Sequence, residues 1–212
     1  MPHDPKHTAR RRFLGTAGLT VGAFALAKAF PAAAARCGVT DQTTAGPFYV
    51  ANAPGGVNIN RLGAPGTRMR IAGSVLGGAD GQQPLTGATV EIWHCDAAGD
   101  YHPDGSGDIS GYPPEVVNLR GVGTTDAQGR FSFDSIVPGH YGNRRRHIHW
   151  KVTAAGHRPL TTQSYWLDER GSARERRDGV DRDTEACRWV RFETAAGGVV
   201  SGELDMVLEA LA

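Results

Sequence analysis

Short stretches of alternating apolar and polar residues dominate this chain, and they constrain its fold more than any other feature. Successive side chains of a β-strand point to opposite faces, so a period of two is typical of half-buried strands. Turn clusters rich in glycine, aspartate and proline separate the stretches, and helical periodicity is scarce. The pattern predicts an all-β fold, and specifically a β-sandwich. Seven stretches carry this prediction: residues 69–76, 88–95, 129–134, 147–154, 161–166, 189–192 and 202–208.

Two segments depart from the alternating pattern. Residues 102–115 are rich in glycine, proline, serine and aspartate, and we expect them to form a long loop. Long ordered loops on a β scaffold tend to carry function. Residues 168–188 are densely charged, and we expect a solvated excursion near one end of the fold.

The first 35 residues have the pattern of an export signal. Arg10-Arg11-Arg12 forms a twin-arginine pattern, and an apolar stretch over residues 19–30 and three alanines at 33–35 follow it. We therefore expect a signal peptide at residues 1–35, recognised by the Tat translocase, and a single domain at residues 36–212 in the periplasm or secreted. The apolar stretch is too short for a stable membrane anchor, although a basic helix lying on a membrane surface is an alternative reading.

The expected mature domain carries no basic excess. Removing five of the 23 basic and one of the 22 acidic side chains leaves a net charge of −3, which gives no reason to expect nucleic-acid binding. The domain keeps all three cysteines, Cys37, Cys95 and Cys187. In an oxidising compartment one disulfide and one leftover thiol are expected, and the sequence leaves the pairing open.

The run His147-Ile-His149 provides half of a metal site. On a strand the two imidazoles leave the same face while Ile148 points away. Tyr141, just after the turn signal Pro138-Gly139, could add a phenolate oxygen. A donor set of nitrogen and anionic oxygen without thiolate favours a hard ion such as Fe(III) over structural zinc.

Further motifs surround this run in a fixed order, and together they cover about residues 41–167. The motifs are Thr44-Ala-Gly-Pro-Phe-Tyr49, the segment 87–101 that ends on Tyr101, Thr125-Asp-Ala-Gln-Gly129, Ile136-Val-Pro-Gly-His-Tyr141, His147-Ile-His149 and Leu160-Thr-Thr-Gln163. In this order they resemble the intradiol ring-cleavage dioxygenases, the family of catechol 1,2-dioxygenase and protocatechuate 3,4-dioxygenase.

The resemblance implies a non-haem Fe(III) cofactor and an aromatic diol substrate. The ligands that it implies are two tyrosinates, Tyr101 and Tyr141, and two histidines, His147 and His149. It implies that Arg144 and Gln163 act on bound substrate, and that Tyr101 is the tyrosinate that leaves the metal and accepts a substrate proton. The implied reaction cleaves the ring of a catechol with O₂ and yields a muconate-type dicarboxylic acid.

The chain also departs from the family pattern. Arg145 and Arg146 stand where small or cyclic residues are usual, and the run Arg144–Arg146 gives a reason to consider an acidic substrate. The long helical region that catechol dioxygenases use to dimerise has no counterpart, so an oligomer is possible but its geometry is not inherited.

Several alternatives remain open from the residues alone. Tyr112 is a rival to Tyr101 as the first tyrosinate, and the histidines could hold zinc or copper. The same β pattern also suits a non-catalytic transthyretin-like or carbohydrate-binding module. His94 is expected to be a buried, hydrogen-bonded residue rather than a ligand.

Overall fold

The structure, a computed structural model, describes residues 37–195 and 197–212. The expected signal peptide at residues 1–35 lies outside the described residues and stays a prediction. Among the residues described, no helix is both long and apolar enough to cross a membrane.

The described residues are mostly β-structure with little helix, as the alternating pattern predicted. The only α-helix among them is α1 (Ala173–Arg177), and short 3₁₀ turns occur at Ile109–Gly111, Pro114–Val116, Leu167–Glu169 and Ala186–Arg188. The strands are β1 (Val50–Ala51), β2 (Arg68–Gly77), β3 (Gln83–Pro84), β4 (Thr89–Trp93), β5 (Gly107–Asp108), β6 (Arg120–Thr124), β7 (Arg130–Ile136), β8 (His147–Thr153), β9 (Leu160–Trp166), β10 (Trp189–Val190), β11 (Glu193–Thr194), β12 (Val200–Glu203) and β13 (Met206–Val207).

Two larger sheets organise these strands. One has the order β10-β9-β8-β4-β6, so β8 lies at its centre. The other is built around β2, which pairs with β3, β7, β12 and β13, while β11 extends it beyond β12. β1 and β5 form a separate parallel pair.

The main hydrophobic core takes side chains from both larger sheets. Met69 and Phe133 come from the sheet around β2, and Ile92, Ile148 and Trp150 come from the other. Because β8 gives Ile148 and Trp150 to this core, its alternate residues His147 and His149 leave the opposite face. The prediction that the two histidines share a face is therefore confirmed.

The prediction that residues 202–208 form a single strand is wrong. The stretch divides into β12 and β13, both parallel to β2. The chain bends at Leu204 and Asp205, where the Asp205 carboxylate accepts a 2.7 Å hydrogen bond from the Ser74 N–H. A Cβ on Gly73 would overlap the Leu204 carbonyl, so the bend depends on a glycine in the neighbouring strand.

The prediction that residues 168–188 form a solvated excursion is wrong for two of its charged side chains. Asp178 and Arg188 are only 2% and 1% exposed. These two charged side chains are buried because Asp178 pairs with Arg144 and Arg145, which precede β8, and Arg188 pairs with Asp181. Cys187, in the same segment, forms the disulfide with Cys37, and Cys95 is a buried free thiol.

Candidate metal centre and its surroundings

Tyr101 and the two histidines of β8 converge on one point. The Tyr101 hydroxyl lies 3.1 Å from the Nε2 atom of His147 and 3.1 Å from the Nε2 atom of His149. All three side chains are buried. The residues are 46 and 48 positions apart in the chain, so only the fold brings them together.

The hydrogen bonds of this cluster are compatible with a metal cation bound between the Tyr101 oxygen and the two Nε2 atoms, in place of the shared proton. The His147 Nδ1 atom lies 2.7 Å from the Arg145 carbonyl oxygen, so it carries the ring proton and leaves a lone pair on Nε2. Burial and the nearby Arg144 lower the pKa of His147 to about 3, and burial holds the pKa of His149 well below its usual value. The single hydroxyl proton of Tyr101 can serve only one of the two Nε2 atoms. A metal ion at this point would instead face two imidazole nitrogens and one phenol oxygen.

The loops that carry Tyr101 and Tyr141 pack backbone against backbone. The Gly139 N–H donates to the Asp96 carbonyl oxygen at 2.7 Å. A Cβ on Gly139 would lie 2.8 Å from the carbonyl carbon of Ala97, and a Cβ on Gly99 would lie 3.1 Å from that of His140. Neither position therefore has room for a side chain.

This close packing brings the two tyrosines together. Their ring centroids are 5.7 Å apart and the rings are nearly perpendicular. Tyr141 is 37% exposed, whereas Tyr101 is 3% exposed. Both tyrosines line one cavity of about 620 Å³, together with Phe48, Pro103 and Val116.

The rival tyrosine makes a different contact. The Tyr112 hydroxyl donates to the backbone oxygen of Ser106 at 2.8 Å. Tyr101, which follows the Asp96 turn, is the tyrosine that meets the histidines.

Arg144 and Gln163 lie in direct contact with each other. The Arg144 Nη2 atom donates to Gln163 Oε1 at 2.6 Å. Gln163 faces His149 in the β8–β9 register, which places the pair beside the histidines. The Gln163 amide nitrogen donates to the Thr44 carbonyl oxygen at 2.8 Å, so the amide orientation is fixed.

The other two arginines of the run make structural contacts. The Arg145 guanidinium is buried, stacks 3.8 Å above the Tyr165 ring and donates to the Asp181 carbonyl oxygen. The Arg146 guanidinium lies 3.9 Å from the Glu169 carboxylate. The Arg145 guanidinium also lies 3.4 Å from the carboxylates of Glu175 and Asp178, so both arginine charges are compensated within the protein.

Aromatic rings fix the cluster from two sides. Trp93 stacks on His149 with centroids 4.9 Å apart, and Phe48 stacks on Tyr101 at 4.2 Å. Gly46 lies against His149, since a Cβ there would meet the imidazole Cε1 at 3.2 Å. Trp93 is the last residue of β4, and no motif in the sequence indicated its contact with His149.

His94 behaves as predicted. It is 1% exposed and its ring nitrogens contact the Cys95 carbonyl oxygen and the Ser135 hydroxyl at 2.7 and 2.8 Å. Burial lowers its pKa to about 4, so it is a neutral, hydrogen-bonded residue.

The comparison with known families agrees with the motifs. A family model described as Dioxygenase matches residues 44–172, which is more than half of the chain. The chain belongs to the intradiol ring-cleavage dioxygenase family. All six proposed site residues of this family member, from Tyr101 to Gln163, lie within the matched range.

Individual relatives support the assignment of the chain to this family. Catechol 1,2-dioxygenase 2 of Acinetobacter lwoffii is 37% identical over 148 residues, covering 59% of this chain and 50% of the relative. The dioxygenase domain of a dioxygenase carbohydrate-binding protein fusion from Streptomyces sp. SirexAA-E is 30% identical, with a TM-score of 0.67 and coverage of 82% and 100%. Catechol 1,2-dioxygenase from Pseudomonas arvilla C-1 is also 30% identical, with a TM-score of 0.64 and coverage of 81% and 62%. The chain spans about half the length of the curated relatives that it matches.

The donor types at the site restrict what could bind a metal. Among the described residues, no group of three or more histidine, cysteine, aspartate or glutamate side chains could hold an ion. The side-chain oxygen that contacts the Nε2 atoms of the histidine pair is the Tyr101 hydroxyl.

Proposed function

We propose that the protein is a non-haem Fe(III)-dependent intradiol dioxygenase. It would cleave the ring of a catechol-type aromatic diol with O₂ and release a muconate-type dicarboxylic acid. The observation that carries this proposal is the convergence of the Tyr101 hydroxyl and both Nε2 atoms at 3.1 Å. Relatives named as catechol 1,2-dioxygenases support a catechol as the substrate class.

Ferric iron fits the donors better than zinc or copper. A tyrosine hydroxyl has an ordinary pKa of about 10, and burial raises that of Tyr101 further, so only a strongly acidic ion would take its proton. We propose Tyr101, Tyr141, His147 and His149 as the ligands. When bound, the ferric ion would supply the Lewis acidity that activates a catecholate toward O₂.

Tyr141 suits the role of the ligand that accepts a proton from substrate. The resemblance assigned this role to Tyr101, but Tyr101 is enclosed between Phe48 and the histidines. Tyr141 is more exposed and borders the same cavity, so its hydroxyl oxygen can turn toward an entering diol. A substrate hydroxyl would then pass its proton to the Tyr141 oxygen.

Arg144 and Gln163 would orient the substrate ring. The pair lies beside His149, and Arg144 carries a positive charge that favours negative charge on the ring as the reaction proceeds. The aromatic faces of Phe48 and Tyr141 would hold the ring and exclude water.

Export of the folded protein is part of the proposal. We propose a β-sandwich catalytic domain at residues 36–212 that follows a twin-arginine signal peptide and acts in the periplasm or outside the cell. The twin-arginine pattern and the Cys37–Cys187 disulfide support an oxidising compartment.

Oxygen uptake with catechol tests the activity directly. The iron-loaded protein is expected to consume one O₂ per catechol and to form a dicarboxylic acid that contains both oxygen atoms of that O₂. Cleavage of a ring bond other than the one between the two hydroxyl-bearing carbons would contradict the proposal. So would a lack of O₂ uptake by protein that has bound iron.

A further inference from the structure

We propose that Asp178 is a positioning residue that orients the Arg144 guanidinium toward substrate. This inference rests on the proposed function, because it concerns the arginine assigned to the substrate there. Asp178 lies beyond residue 172, where the family match ends, within the segment that the sequence analysis expected to be solvated.

Both oxygens of the Asp178 carboxylate are fully engaged. One accepts hydrogen bonds from the Arg144 Nε–H at 2.8 Å and from the Val180 N–H at 3.0 Å. The other accepts the Arg145 N–H at 3.2 Å and lies 3.4 Å from the Arg145 Nε atom. The Arg145 N–H fixes the carboxylate relative to the main chain just before His147, and the Val180 N–H fixes it within its own loop. It therefore provides a rigid anchor rather than a mobile counter-ion.

Arg144 is held at two of its three nitrogens. Asp178 accepts from Nε and Gln163 accepts from Nη2. In the part of the chain that the structure describes, no acceptor contacts the Nη1 atom, and the side chain is 15% exposed. Since a guanidinium is planar, fixing Nε and Nη2 also fixes the direction of Nη1. Asp178 thus leaves one donor free to meet a substrate oxygen.

The buried carboxylate also restricts what Arg144 recognises. Its negative charge at 2.8 Å compensates much of the arginine charge. Arg144 then acts as a directed hydrogen-bond donor to the reacting ring. It does not act as an unpaired cation that would bind an anionic substituent of the substrate.

A matched pair of variants separates positioning from stability. Asp178→Asn removes the charge that holds Arg144, whereas Glu175→Gln removes a carboxylate of the same segment that contacts Arg145 at 3.4 Å and does not contact the Arg144 side chain. Steady-state turnover with catechol is measured on iron-loaded protein, with iron content and unfolding followed for each variant. We expect Asp178→Asn to lower kcat about 10- to 100-fold with iron content retained, because small displacements of a positioning group have effects of this size. Glu175→Gln is expected to keep kcat within about 3-fold of the unsubstituted protein.

A double substitution tests whether the effect passes through Arg144. In an Arg144→Ala background, Asp178→Asn is expected to change kcat by less than about 2-fold, because the group that it positions is absent. Equal losses in Asp178→Asn and Glu175→Gln, or additive losses in the double variant, would overturn the proposal.

A readout without turnover keeps this inference distinct from the proposed function. NMR of arginine side chains reports how fast the Arg144 Nε–H exchanges with water. Slow exchange is expected in the unsubstituted protein and in Glu175→Gln, and fast exchange in Asp178→Asn. If the iron-loaded protein does not turn over catechol, the proposed function fails. The exchange measurement then still decides whether Asp178 holds Arg144, and fast exchange in all three proteins would refute it.

Discussion

Replacing Gly139 with alanine tests whether the contact between the two tyrosine loops builds the site. The new Cβ would lie 2.8 Å from the carbonyl carbon of Ala97 and 3.1 Å from the Gly99 nitrogen. Ordinary carbon–carbon contact begins near 3.5 Å, so the loops must separate by about 0.7 Å. Both neighbours are backbone atoms, and no side chain can rotate away to relieve the overlap.

The expected cost has a structural and a functional part. Overpacking of this kind typically lowers the free energy of unfolding by about 1–3 kcal/mol, which corresponds to roughly 2–12 °C in Tm for a chain of this size. The separation also moves Tyr141 away from Tyr101, so we expect the visible absorption of the iron-loaded protein to shift or weaken.

Gly111→Ala is the matched control, because nothing lies within 4 Å of a Cβ at that position. Thermal unfolding and the visible spectrum of both variants would be compared with the unsubstituted protein. If Gly139→Ala matches Gly111→Ala in both measurements, the contact does not position the tyrosines and the reasoning fails.

Three further expectations follow from the structure. Tyr101→Phe should abolish stoichiometric iron binding while Tyr112→Phe retains it, as measured by metal analysis, and iron bound equally by both variants would refute the assignment of Tyr101 as a ligand. Catechol should be a better substrate than 3,4-dihydroxybenzoate by kcat/KM, because the Arg145 and Arg146 charges are already compensated within the protein, and a preference for the carboxylated diol would contradict this. Stability should fall with acid, because burial lowers the pKa of His94 to about 4 while the unfolded chain protonates near 6.5. The contribution of His94 to the free energy of unfolding is therefore complete above pH 6.5 and is lost as the pH falls toward 4. The loss between pH 7 and pH 5 is about 2 kcal/mol. Urea unfolding at both pH values measures this loss, which should be smaller in His94→Gln, and an equal loss in that variant would count against the assignment to His94.

The sequence alone was sufficient to predict the type of fold and the half of the site that depends on strand periodicity. His147 and His149 share a face because a strand alternates, and Ile148 between them enters the core. The turn motifs also predicted Tyr101 and Tyr141 as ligands, and each tyrosine follows a turn whose glycine packs against the opposite loop.

The ion pairs that surround the site could not be predicted from the sequence pattern. A segment dense in acidic and basic residues is normally solvated, because burying a charge is costly unless a partner meets it. Asp178 is buried because Arg144 and Arg145 reach it from just before β8, and Arg188 is buried because Asp181 of the same segment folds back onto it. Pairing of this kind depends on tertiary structure and leaves no periodic pattern in the chain.

Metal analysis together with the visible spectrum tests the central claim most directly. Purified protein is expected to bind one iron per chain and to show a broad visible absorption from tyrosinate ligation of Fe(III), which changes when catechol is added. A colourless protein, or one that binds zinc and excludes iron, would contradict the assignment of Tyr101, Tyr141, His147 and His149 as a ferric site.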